Sequence, residues 1–141
     1  AAAIRAVFER DAARSSAVCE EIGGFTPLPE GTVQPVDVMI NFTGIGMHDT
    51  VGQTPSVTFA GGEVKAVGEE LLSLCGTAVD LIYVPKQSEF LRVAHALGKK
   101  TVNGEAMLFY QAYYGDCILL NREPSAGEAK ELWRKYTEER A

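Results

Sequence analysis

Residues 36–47 read V-D-V-M-I-N-F-T-G-I-G-M, and this stretch decides the fold class. Val36, Val38, Met39 and Ile40 make the near-continuous apolar run of a strand covered on both faces, and Asn41, Thr43, Gly44 and Gly46 follow in a turn of small and polar residues. A strand that runs into such a turn marks the carboxyl end of a parallel strand, where open α/β sheets bind ligands. Gly44 and Gly46 let a pyrophosphate or ribose approach the backbone, and Asn41 and Thr43 bring polar groups to it. The same residues also suit a tight turn in which Asn41 satisfies its own backbone.

Outward from this strand, apolar runs alternate with helix-like segments, the pattern of a parallel sheet with crossover helices. Ile4 to Glu9 reads as a first strand, with a helix from Asp11 to the Gly23-Gly24 pair, although Ile4, Phe8, Ala12, Ser15, Cys19 and Ile22 also fit one long helix over 1–22. Val36 to Phe42 is the next strand. After a connection containing Pro55, the stripe Val64, Val67, Leu71, Leu74 predicts a helix. Val79 to Val84 reads as a strand stopped by Pro85. Phe90, Leu91, Ala94 and Leu97 form a helical face closed by Gly98, and Lys100 to Asn103 a short strand. Met107, Leu108, Gln111, Ala112 and Gly115 share one side of a further helix. The last helix starts at the capping-box spacing Ser125/Glu128 and is expected to bury Ala129, Leu132, Trp133 and Tyr136.

With 141 residues the chain is one domain by size, and its 46% hydrophobic and 23% charged content is that of a globular protein. A net charge of −6 argues against a nucleic-acid binder, which needs a basic face. No apolar run approaches the roughly 18 residues of a membrane span, and no basic segment leads into an apolar signal core, so the cytoplasm is the expected compartment. Cys19, Cys75 and Cys117 are odd in number and widely separated, and read as buried free thiols.

Three blocks together resemble the shikimate/quinate dehydrogenase family: N-x-T-x-x-G-M at Asn41–Met47, D-L-I-Y-V-P at Asp80–Pro85, and G-E-A-M-L-F-Y-Q-A at Gly104–Ala112. They stand in the family's order, and F-E-R-D-A-A-R at 8–14 is similar to the family's second Rossmann strand and following turn. The resemblance implies an α/β, Rossmann-like doubly wound parallel sheet over residues 1–141. It further implies that the helices at 104–140 line the substrate cleft of an oxidoreductase of aromatic amino acid biosynthesis. It places Asn41, Thr43, Gly44 and Met47 at an NAD or NADP cofactor, and Gly104 and Met107 near the nicotinamide. Tyr83 would shape the pocket between cofactor and substrate, and Gln111 would contact hydroxyls of a small shikimate-like molecule. By residue type alone, Gln111 is either bonded to protein in a core or faces a polar ligand in a cleft.

Cofactor preference turns on Glu9, Arg10 and Arg14. A carboxylate at Glu9 suits ribose hydroxyls and repels a 2′-phosphate, whereas Arg10 and Arg14 match the basic positions that grip one; Glu9 tips the expectation to NAD. The chain departs from the family in two ways. It has no G-x-G-x-x-G between a strand and a helix, and no block resembling the family's catalytic lysine and aspartate. His48 and His95 are lone histidines read as surface residues, and no catalytic residue is expected within the chain. The expectation is therefore a partial Rossmann domain that lacks the first strand and the amino-terminal substrate domain, these being supplied by a missing half or a partner chain. The alternative is a noncatalytic Rossmann-like module that binds a nucleotide or a protein.

Overall fold

The computed structural model describes residues 6–7, 17, 20–21, 26–27, 35–58 and 64–140. Ala6–Val7 (β1) pairs in parallel with Thr26–Pro27 (β2), and Ala17, Glu20 and Glu21 between them are helical. A strand at 6–7 excludes a single helix over 1–22 and favours strand followed by helix. Glu9, Arg10, Arg14 and Cys19 lie outside the described residues.

Val36–Asn41 (β3) forms a strand, but Val38 and Ile40 are exposed, so it is not covered on both faces as expected; it pairs in parallel with Cys75–Asp80 (β6), which pairs in parallel with Lys100–Val102 (β7). The sheet order is β3-β6-β7, so β6 is central and each crossover lands beside its predecessor. The strand expected at Val79–Val84 lies earlier. Cys75, Gly76, Thr77 and Ala78 are small residues that carry little strand signal, yet Ala78 is fully buried, and Gly76 sits where a Cβ would come within 3.1 Å of the Asp37 carbonyl. The run L-I-Y-V beyond Asp80 is loop, in which Ile82 is buried while Tyr83 and Val84 are exposed.

The helix expected from Val64 to Leu74 is also corrected. Val64–Ala66 (β5) pairs antiparallel with Ser56–Thr58 (β4), and only Glu69–Leu72 is helical (α1). Helical and strand spacings overlap over so few residues, and Gly68 separates the two elements. Val67 and Leu71 still enter the core with Val57, Leu72, Cys75, Ala78, Phe90, Leu91 and Ala94, whereas Val64 faces out. Fully burying side chains such as Leu72 and Phe90 contributes roughly 1.5–3 kcal/mol each.

Glu89–Ala96 (α2) is capped by Ser88, whose Oγ accepts from the Leu91 N–H, and ends at Gly98 with φ +71°, as its sequence predicts. Glu105–Leu119 (α3) and Ala126–Glu138 (α4) pack together through Tyr113, Cys117 and Ala129. The buried side of α3 is thus the one away from Gln111. Met107, Leu108, Gln111 and Ala112 are exposed, because α4 takes the opposite face. On α4, Ala129 is buried and Trp133 and Tyr136 are half-buried, but Leu132 is exposed. Cys75 and Cys117 are buried free thiols, and burial pushes the Cys75 thiol up.

Candidate functional site

Parallel pairing brings the carboxyl ends of β3, β6 and β7 to one edge of the sheet, and with them the loops at 41–50, 81–88 and 103–104. The first loop is built by side chains. Asn41 is 3% exposed; its Oδ1 accepts from the Thr43 N–H at 2.9 Å and the Thr43 hydroxyl at 2.8 Å. Its Nδ2 donates to the Ile45 carbonyl at 3.3 Å and to Asp80 Oδ1 at 3.1 Å. An amide offers two donors and two acceptor positions, so Asn41 is fully engaged and shapes the turn from within. Thr50 completes it: its Oγ1 accepts from the Gly46 N–H at 2.9 Å and lies 2.7 Å from the Met47 carbonyl.

Two glycines serve different ends here. Gly46 has φ +115°, and a Cβ would meet Ile82 Cδ1 at 3.2 Å, so backbone conformation and packing both exclude a larger residue. Gly44 is exposed, has nothing within 4 Å of a built Cβ, and its N–H has no hydrogen-bond partner among the described residues. An open N–H beyond a parallel strand's carboxyl end fits a phosphate or ribose oxygen.

Asp80, the last residue of β6, is completely buried and has no cationic partner among the described residues. Its carboxylate accepts from Asn41 and from the Ile82 N–H at 3.0 Å on Oδ1, and from the Ser88 hydroxyl on Oδ2. Reading by residue type missed Asp80, Ser88 and Thr50; the available signal was one acid standing before an apolar run at a strand end. At the third loop, the Gly104 N–H donates to the Ile82 carbonyl at 3.0 Å, and a Cβ on Gly104 would lie 2.0 Å from the Leu81 carbonyl oxygen. Only glycine lets α3 start this close to the β6 loop. Asn103 joins the two loops, donating from Nδ2 to the Lys86 carbonyl at 3.0 Å and accepting from the Glu105 N–H.

Met107 and Gln111 share the open face of α3 by their four-residue spacing. The Gln111 side chain has no hydrogen bond to a described residue, so it is not an amide held inside a core. Tyr83 is 43% exposed in the β6 loop. A groove of ≈ 410 Å³ beside the end of β7 is walled by Lys86, Gln87, Asn103 and Trp133, and no residue of 41–50 lines it. His48, at φ +51°, and His95 are exposed, and neither side chain has a hydrogen-bond partner among the described residues. Among those residues no group of His, Cys, Asp and Glu is placed to hold a metal, and no helix is long and apolar enough to cross a membrane.

No family model matches the chain. Over 79 residues it is 38% identical to a shikimate dehydrogenase (NADP(+)) of Caldanaerobacter subterraneus subsp. tengcongensis, covering 56% of this chain and 24% of that protein. The chain is similar to part of the shikimate dehydrogenases. A chorismate mutase/shikimate 5-dehydrogenase fusion protein from Clostridium acetobutylicum superposes with TM-score 0.69 at 27% identity, over 95% of this chain and 44% of that one. A shikimate dehydrogenase crystallised with NADP+ gives 0.65 at 27% identity, over 89% and 44%. These likenesses make the sheet Rossmann-like. The chain spans about a quarter of the length of the curated shikimate dehydrogenases it matches. Those relatives are named for NADP(+), which gives no support to the NAD expectation drawn from Glu9.

Proposed function

We propose that this chain is the NADP-binding portion of a shikimate dehydrogenase-like oxidoreductase, which moves a hydride between nicotinamide and the hydroxyl-bearing ring carbon of a cyclic hydroxy acid. The carrying observation is the open, unpartnered Gly44 N–H on a turn held by the Asn41, Thr43 and Thr50 side chains, in a chain whose curated relatives are named for NADP(+). The bound cofactor supplies the hydride. Gly44 donates to its phosphate or ribose, while Asn41, Thr43 and Met47 hold the turn in shape. Arg10 and Arg14 take the 2′-phosphate, and this outweighs the repulsion from Glu9.

The start of α3 approaches the nicotinamide at Gly104 and Met107, and the open face of α3 lines the substrate cleft together with α4. Gln111 hydrogen-bonds the substrate hydroxyls, with Tyr83 between the two ligands. The test is initial-rate assay of the full-length protein with shikimate or quinate and with NADP+ or NAD+, read by absorbance of the reduced nicotinamide. Shikimate oxidation faster with NADP+ supports the reading, and no reduction with any pair rejects it. Gln111→Ala is expected to raise the KM for shikimate about tenfold, the loss of one or two hydrogen bonds. Unchanged KM and kcat would remove Gln111 from the site.

A further inference from the structure

The buried Asp80 carboxylate connects segments that are far apart in sequence. On one oxygen it receives Asn41, which in turn holds Thr43 and Ile45 of the open turn. That oxygen also receives the Ile82 N–H, whose own carbonyl accepts from Gly104 at the start of α3. The other oxygen receives Ser88, the N-cap of α2. We infer that Asp80 is a positioning residue that sets the 41–47 turn for its dinucleotide and ties that setting to the loop carrying Tyr83 and to the start of α3. The inference rests on the dinucleotide reading of the turn.

The physical ground is charge and burial. A carboxylate with no exposure and no ion pair among the described residues is held only by the donors aimed at it, so each of its bonds is charge-assisted and roughly twice as strong as a neutral one. Asn41 has no spare group with which to replace the bond. Losing the Asp80 charge therefore loosens the side-chain hydrogen bond that links the turn to β6 among the described residues. Ser88 offers a control, because its hydroxyl bonds Asp80 and the Leu91 N–H but no group of the turn, and Ser88→Ala keeps the Cβ that lies beside Gly46.

The experiment compares Asp80→Asn and Ser88→Ala in the full-length protein. Three quantities are read: thermal midpoint, NADP+ dissociation constant by fluorescence titration, and amide hydrogen exchange at Thr43 and Gly46 without ligand. Asp80→Asn is expected to weaken NADP+ at least threefold, speed exchange at Thr43, and raise the KM for NADP+ with little change in kcat. Ser88→Ala is expected to lower the midpoint while leaving the dissociation constant and Thr43 exchange as in the wild type. Unchanged Thr43 exchange in Asp80→Asn overturns the inference, as does equal weakening of NADP+ by both variants at equal loss of midpoint. If the wild type binds no dinucleotide, the functional reading fails, and exchange at Thr43 still decides whether Asp80 sets the turn.

Discussion

Gly44 and Gly104 are both glycines at strand ends, and the atoms around them assign them opposite roles. A methyl group at Gly104 would collide with the backbone of Leu81, at 2.0 Å from its oxygen and 2.5 Å from its carbonyl carbon, which cannot swing aside as a flexible side chain does. Gly104→Ala should cost about 3 kcal/mol, the upper end of overpacking, visible as a lower urea midpoint. Gly44→Ala meets nothing within 4 Å and should change stability by less than about 0.5 kcal/mol. If the Gly44 N–H faces the cofactor, the same change should weaken NADP+ several-fold by obstructing its approach. Equal stability and equal affinity in that variant would take Gly44 out of the site. Residue identity marked Gly44 as a place suited to glycine, and the family resemblance singled out Gly104. Neither separated a close approach between two backbones from an open ligand side, since that depends on which loop lies opposite. Asp80 was illegible for the same reason: Asn41 and Ser88 come from distant segments, and only the sheet register brings them to one carboxylate.

The junction of α3 and α4 shows how far an element's pattern carries. The Ser125/Glu128 spacing located the start of α4, and Ser125 Oγ does accept from the Glu128 N–H. The second half of the capping box is replaced, however: the Ser125 N–H donates to the Tyr113 hydroxyl at 2.9 Å, and the Glu128 carboxylate receives Tyr113 and Arg122, each at 2.8 Å. Arg122, and after it Tyr113, hold the Glu128 carboxyl below its usual range. A depressed folded-state value means that the contribution is complete above the unfolded glutamate range, near pH 4.3, and is lost as pH falls through the folded value. Glu128→Gln should therefore lower the thermal midpoint at neutral pH, and the gap to the wild type should close on acidification below about pH 4. A gap independent of pH would show that shape, and not charge, sets the contribution. Which face of α3 is buried was not legible in the sequence because apolar residues lie on both of its sides, Tyr113 and Cys117 on one and Met107, Leu108 and Ile118 on another, so spacing supplies no phase. β5 was misread for a related reason, since a short segment does not separate period 2 from period 3.6.

For the whole molecule, the parallel sheet was legible from strand-like runs that alternate with helix-like segments, because parallel neighbours need a crossover between them. The chemistry is a separate matter. Reducing a ketone needs a proton donor fixed beside the oxygen as the hydride arrives. The two imidazoles among the described residues, His48 and His95, are exposed and held by no described partner; Asp80 is buried and consumed by three donors. Val38 and Ile40 on β3, Phe42 just beyond it, and Met107, Leu108, Ile118 and Leu119 on α3 are exposed apolar side chains. If residues 41–47 hold the cofactor and Gln111 meets the substrate, as proposed, a chain with no acid or base oriented for proton transfer among the described residues should bind a dinucleotide without turning over. The 141-residue chain produced by itself is therefore expected to show no reduction of NADP+ by shikimate, under conditions in which the full-length protein reacts. If the isolated chain turned over at a rate comparable to the full-length protein, the donor would lie within these residues, and replacing His48 and His95 in turn would locate it.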